Sequence, residues 1–337
     1  MSPNSEYLQP WRYRRDWARY LKKLISADVV IFPGFFHFPT LPFHHWLRRL
    51  SKRPTLLWSE AFIGKQKLSL TRRAVKWLLL RTCDADNFHL LCVGDNAAVD
   101  YFKTGIRNWQ YWRFAFSVDP LAVLPQKVVC NGTVRLLFVG SLIPRKNPCL
   151  LLQALAEPLL ADSDWSLTFV GDGPLRQQLE ELCREYGFLD RVEFRGSLPR
   201  QQCSCEYATA DLLVLPSCFD GWGAVVNEAM EHGLCVVCSD AVGAQTLIED
   251  GVSGFVFSEG NKLDLADRLA WFINDRQQLL DAQRSSRDQI MNYRPQAVAK
   301  RLAVLCRSIA TSTTLPDFHE GLCAKLSTTP SHLGSDE

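Results

Sequence analysis

The sequence predicts an α/β chain of two domains, each built on a doubly wound parallel sheet, and three observations lead there. At 337 residues, 47% of them hydrophobic and 22% charged, the chain can bury two cores rather than one. Through the second half, short β-branched runs alternate with longer amphipathic stretches. Continuous apolar strands separated by helices mark a parallel sheet covered on both faces, closed by right-handed crossovers. The first half repeats the alternation more sparsely, which makes its domain a shortened one.

Taken in order, Tyr13, Trp17, Leu21 and Leu24 fall on one helical face, and Arg12, Arg14, Arg15, Arg19, Lys22 and Lys23 occupy the rest. Such a helix suits weak peripheral contact with an anionic membrane. It equally suits packing on the first sheet with its basic residues solvated, which is the plainer expectation. Strands are predicted at 28–32, 55–58 and 88–93, with helices near 40–50, 70–81 and 96–103. These make a first domain over residues 1–118. Pro120, Pro125 and Asn131-Gly132 mark a linker at 119–132. In the second domain, residues 133–292, strands are predicted at 134–139, 167–170, 191–194, 211–215 and 234–238, with helices between them. Residues 293–310 are predicted as a C-terminal helix that returns to the first domain. From 311 to 337 the composition turns to Ser, Thr, Pro and Gly, and a disordered tail is expected.

Composition removes several function classes. A net charge of +2 is too small to call for nucleic acid. The 12 cysteines are scattered, many in apolar runs such as Leu91-Cys92-Val93 and Leu234-Cys235-Val236, which suits reduced, buried thiols better than a disulfide framework. Cys235-x-x-Cys238 and Cys203-x-Cys205 lack the second pair or the histidines that zinc requires, so no metal site is predicted. With no segment of signal-peptide or membrane-span character, a cytoplasmic protein is expected, some of it at the inner face of the membrane if the first helix binds lipid.

Four segments of the second half carry the chemistry. The first, Phe138-Val139-Gly140-Ser141-Leu142-Ile143-Pro144-Arg145-Lys146, is a strand ending in glycine and a basic loop, which sets cations beyond the carboxyl end of a strand where open α/β sheets bind ligands. The second, Val170-Gly171-Asp172-Gly173-Pro174, is a tight strand-to-helix turn. It fails as a dinucleotide fingerprint because Arg176 holds the third glycine position, which argues against a nicotinamide-dependent oxidoreductase. In the third, Pro216-Ser217-Cys218-Phe219-Asp220-Gly221-Trp222-Gly223, glycines let backbone approach a ligand. A helix then opens at Ala224 and Val225 with unpaired amides and about half a positive charge, a cradle for a diphosphate. Glu228 follows on that helix, and a carboxylate accepts two hydrogen bonds from vicinal hydroxyls, as on a ribose or hexose. The fourth, Ser239-Asp240-Ala241-Val242-Gly243 through Gly251-Val252-Ser253-Gly254, closes the sheet beyond the cradle.

In this order the four segments resemble the donor domain of family-4 glycosyltransferases, enzymes of the GT-B fold, in which two Rossmann-like doubly wound domains face a cleft. The resemblance covers about half the chain. It implies a retaining, metal-independent transfer of sugar from a nucleoside-diphosphate sugar to the hydroxyl of a glycan or lipid-linked acceptor, with no cofactor. Lys146 is then the diphosphate contact, with Gly140, Ser141, Gly171 and Gly173 lining the donor. Gly221, Trp222, Gly223, Ala224 and Val225 form the phosphate cradle, Glu228 takes the ribose, Asp220 the transferred sugar, and the segment from Arg195 and Gly196 to Leu198 holds the base. Two positions depart from the family. Asp220 replaces the usual first glutamate, one methylene shorter, and Ser141 replaces an arginine. Arg145 is the candidate substitute, although adjacency to Lys146 turns two side chains apart. In the first domain Glu60 is the acceptor-side acid or base, or a loop carboxylate capping a helix. His37, His44 and His45, near the Pro33-Gly34 turn, either face the cleft or, on the plainer expectation, lie on the surface. The family has two further βα units before residue 28, so a catalytically weak or truncated nucleotide-sugar-binding homologue is the alternative.

Overall fold

A computed structural model describes residues 16–33, 41–61, 78, 86–103, 106, 108–119, 132–311 and 322–326. The chain divides into two compact units, Met1–Ala115 with Gln296–Glu337, and Phe116–Pro295. The predicted helix at 70–81 lies outside the described residues apart from Leu78, and Tyr13 and His37 lie outside them too.

The first unit carries four parallel strands, β1 (Val30–Pro33), β2 (Thr55–Glu60), β3 (Phe88–Val93) and β4 (Gln110–Phe114), paired in that sequential order. Double winding was expected, but among the described strands the order never reverses. Helices α1 (Trp17–Ser26), α2 (Leu41–Ser51) and α3 (Asp95–Lys103) accompany the sheet. The core is rich in aromatic groups: Phe88 stacks on Trp109 with ring centroids 5.5 Å apart, beside Tyr101 and Tyr111. Tyr20 and Leu24 of α1 join this core and Trp17 is exposed, so the helix packs by a stripe rotated from the predicted one. His44 and His45 are buried, contrary to the surface expectation, because they open α2 against Tyr20, Phe32 and Phe88. Arg48 is wholly buried, its guanidinium donating to Leu24 O and Ala27 O at 2.9 Å, Pro54 O at 2.7 Å and Thr55 Oγ1 at 3.1 Å.

Part of the expected disordered tail is ordered. Leu322, Cys323 and Ala324 are buried, and Lys325 forms an antiparallel bridge with Trp112 of β4. Cys323 N donates to Arg113 O at 2.7 Å and Arg113 N to Ala324 O at 2.9 Å, so the edge of β4 supplies the backbone partners that the tail's composition does not.

The second unit holds a parallel sheet of six strands, β5 (Val134–Val139), β6 (Trp165–Val170), β7 (Val192–Gly196), β8 (Leu212–Leu215), β9 (Cys235–Ser239) and β10 (Gly254–Phe257). Their spatial order is β10-β9-β8-β5-β6-β7, which places neighbours β5 and β8 where the winding reverses. Open α/β sheets bind ligands beyond the carboxyl ends of the strands at such a point. Helices α4 (Pro148–Leu155), α5 (Arg176–Glu185), α6 (Arg200–Thr209), α7 (Ala224–Glu231), α8 (Lys262–Ile273) and α9 (Arg276–Ile290) follow the strands, and α10 (Pro295–Thr311) belongs from Gln296 onward to the first unit, as the sequence led us to expect. The core is chiefly aliphatic, from Leu136, Leu151, Leu167, Leu212, Val214, Val237 and Leu269 among others.

Candidate functional site

The strand-order reversal brings the first and third sequence segments together. After β5 the chain turns at Gly140 and makes a short 3₁₀ turn, Pro144–Lys146, ended by Asn147 in the left-handed region at φ 49°. After β8 it runs through Pro216 to Gly223, whose φ of 95° suits glycine, and enters α7. Backbone joins the two loops, with Cys218 N donating to Arg145 O at 2.8 Å. Lys146 Nζ pairs with Asp220 Oδ2, and Arg145 Nη1 lies 3.7 Å from Asp220 Oδ1 and donates to Phe219 O at 2.8 Å. Both cations therefore reach the Asp220 loop, although adjacency was expected to turn Arg145 away: the guanidinium spans to the backbone of Phe219 while the shorter ammonium meets the carboxylate.

The turn after β6 packs against this loop. A Cβ on Gly171, where φ is 136°, would stand 2.0 Å from Gly140 O, and one on Gly173 would stand 2.5 Å from Leu142 O. Leu142 N donates to Asp172 O at 3.0 Å. Gly171 and Gly173 thus set the spacing between two loops. Gly196 ends β7 beside them, its carbonyl accepting from Gly171 N at 2.8 Å, while the exposed Arg195 pairs with Glu193 and Glu206.

Helix α7 offers its first amides, at Ala224 and Val225, ahead of any intrahelical acceptor, and Ala224 is exposed. Glu228 is half-buried on its second turn and accepts from Tyr207 Oη at 2.9 Å. The Trp222 side chain does not line the crevice. It is buried, donates to Asn227 Oδ1 at 2.7 Å and meets the Phe116 ring edge-on, so any part it has in a cradle is through its backbone. Asn227 Nδ2 donates in turn to Phe116 O at 3.0 Å, and Glu231 at the end of α7 takes both Nε and Nη2 of Arg294, the latter at 2.6 Å. The exposed Ser141 stands at the start of the basic loop. In the first unit, Glu60 ends β2 in register with Val93. Among the described residues no group of three or more His, Cys, Asp or Glu is arranged to hold a metal, and no helix is long and apolar enough to cross a membrane. The sequence singles out neither Tyr207 nor Asn227: each reads as an ordinary position on an amphipathic helix.

The family model for glycosyl transferases group 1 matches residues 126–289, the stretch that contains every one of these loops. The match takes in just under half of this chain. The chain is 33% identical over 168 residues to a D-inositol 3-phosphate glycosyltransferase of Nocardia farcinica, a match spanning 48% of this chain and only 37% of that protein. The chain as a whole is similar in fold to Anabaena Alr3699/HepE in complex with UDP, with a TM-score of 0.61 at 20% identity, covering 86% of this chain and 82% of that one. It is likewise similar to the lipopolysaccharide outer core galactosyltransferase WaaB, with a TM-score of 0.65 at 18% identity over 88% of this chain and 82% of that one. Two parallel-sheet α/β units, the second of them containing the stretch that the family model matches, are the components of the GT-B fold expected from the sequence.

Proposed function

We propose that the chain is a retaining glycosyltransferase of family 4 that moves a sugar from a nucleoside-diphosphate sugar to an acceptor hydroxyl in polysaccharide or glycoconjugate synthesis. One observation carries this reading: Lys146, Arg145, Asp220 and the start of α7 converge where the strand order reverses. In this reading the diphosphate lies at the amides of Gly223, Ala224 and Val225, and Lys146 turns to it from Asp220. A doubly charged phosphate at a helix terminus competes well with one carboxylate for that ammonium. Freed of Lys146, Asp220 meets the transferred sugar, Glu228 takes the ribose hydroxyls, and the backbone near Gly196 holds the base.

Negative charge develops on the leaving diphosphate as the glycosidic bond breaks, and fixed cations beside it lower the barrier most. Lys146, Arg145 and the helix terminus supply that charge from the chain itself, so we propose that neither a metal nor a cofactor is required. The acceptor is a glycan or lipid-linked sugar, attacking with Glu60 as acid or base. The basic face of α1 gives weak contact with an anionic membrane, on its cytoplasmic side. Liposome co-sedimentation that does not respond to anionic lipid would remove the membrane contact.

The test begins with thermal shift against UDP-, GDP- and ADP-sugars, UDP first because the HepE complex holds it. A donor present at about 100 times its Kd stabilises the folded chain by about 2.7 kcal/mol. The product's anomeric configuration is then read by NMR, with and without EDTA. Retention of configuration and activity in EDTA are expected, and inversion or loss in EDTA would overturn the mechanism. The pairing of Lys146 with Asp220, together with Ser141 in place of arginine, favours a second reading, a catalytically weak nucleotide-sugar-binding homologue. Binding without turnover across a broad acceptor panel would decide for it.

A further inference from the structure

Glu228 is held from behind. Tyr207 stands on α6, only 2% exposed, and its hydroxyl donates to Glu228 Oε2 at 2.9 Å. The Tyr207 ring stacks on His232, centroids 5.1 Å apart and planes at 28°. His232 is engaged at both ring nitrogens. Nδ1 lies 2.7 Å from Glu228 O, and because a carbonyl only accepts, that nitrogen carries the proton. Nε2 therefore accepts from Ser204 Oγ at 2.5 Å. Helix α6 thus grips α7 by two routes, one ending on main chain through Ser204 and His232, the other on the carboxylate of Glu228.

The second route is not needed to hold the helices together, because the first and the ring stacking already do so. It spends a buried hydroxyl on one oxygen of a half-buried acid and leaves the other oxygen for a ligand. A glutamate side chain loses on the order of 1.5–2 kcal/mol of rotamer freedom when fixed. If that loss is taken in folding, binding does not have to bear it. Burial, reinforced by the Glu228 charge, pushes the Tyr207 phenol well up, so it remains a donor throughout the neutral range.

We propose that Tyr207 is a positioning residue for nucleotide recognition: its hydroxyl fixes the Glu228 carboxylate so that the remaining oxygen meets the paired hydroxyls of a ribose. This rests on Glu228 being the ribose-binding acid, as argued above, and the test separates the two statements. The probes are UDP, GDP or ADP, whichever binds most tightly, and its 2′-deoxy analogue, with Kd measured by calorimetry. The unmodified chain is expected to prefer the ribonucleotide roughly tenfold, the scale of one charge-assisted hydrogen bond. Tyr207→Phe, which keeps the ring and its stacking, is expected to cut that preference to below about threefold. Glu228→Ala abolishes it, and adding Tyr207→Phe to Glu228→Ala changes it no further. Ser204→Ala is the structural control: it lowers Tm and leaves the preference intact. Full preference in Tyr207→Phe with loss in Glu228→Ala overturns the role of Tyr207 alone. Full preference in Glu228→Ala overturns both that role and the assignment of Glu228. A loss in Ser204→Ala equal to that in Tyr207→Phe also overturns the role, since helix packing would then explain both.

Discussion

The two units are built by the same rule, parallel strands joined through helices, yet they place their polar groups differently. In the first, buried polar side chains serve the fold: Arg48 ties the end of α1 to the start of β2, and His89 accepts from Trp112 Nε1 at 3.2 Å between β3 and β4. In the second, the charged groups Lys146, Arg145 and Asp220 gather beyond the carboxyl ends of β5 and β8. The strand order explains the contrast. At the reversal the loops after β5 and β8 meet and hold these charged groups beyond the strand ends, where open α/β sheets bind ligands. Where the described strands run in sequence there is no such reversal, and buried polar groups satisfy one another or the backbone.

The sharpest way to break this comparison is Arg48→Ala. It strips donors from the main-chain carbonyls of Leu24, Ile25, Ala27 and Pro54 and should cost the first unit about 3–5 kcal/mol in denaturation, with hydrogen exchange quickening in β2 and not in β5. Acidification comes next. Burial pushes His45 down to about 3 and His89 down to about 4, against an ordinary value of 6.5. Below pH 6.5 the unfolded chain takes up protons that these rings refuse until near pH 4 or 3. Stability therefore falls with falling pH across that window, by roughly 2 kcal/mol per histidine at pH 5, and is constant above pH 7. The second unit has a different dependence. Asp211 is held low by Arg135 and Arg276, which outweigh its burial, so its contribution is lost only below about pH 4. Exchange rates at pH 7 and 5 should separate the units, and equal losses would erase the distinction.

A third and smaller effect is expected at the crevice. Lys146→Ala should lower turnover more than roughly tenfold, about 1.4 kcal/mol, with Tm little changed. A wild-type rate would show that the cations there are structural after all. Smallest is Trp222→Phe, which keeps the ring contact with Phe116 and removes the bond to Asn227. About 1 kcal/mol of stability should go, with donor Kd unaltered, since the indole faces the domain interior.

The second unit was the more legible in sequence for the same reason that it holds the site. Its central strands are largely apolar runs, so β5 matched its predicted span and β8 and β9 came within a residue of theirs. The loops that join at the reversal announced themselves by glycine spacing and charge. In the first unit β4, with sequence Gln-Tyr-Trp-Arg-Phe, mixes aromatic and charged residues in no clear period and went unread. The burial of His44 and His45 depends on how α2 meets α1 and β1, which no local pattern encodes. The same holds for Tyr207, whose partner is 21 residues away on another helix.

One further consequence follows from α7. Phe116 and Arg294, where the polypeptide enters and leaves the second unit, are fastened to Asn227 and Glu231, four positions apart on one helix. Such positions lie about 6 Å apart on the same face. The domain's ends therefore meet within a single helical turn, the geometry of a cassette. Residues 116–295 should be removable as an independently folding piece, and a short linker should suffice to rejoin the ends in a circular permutant.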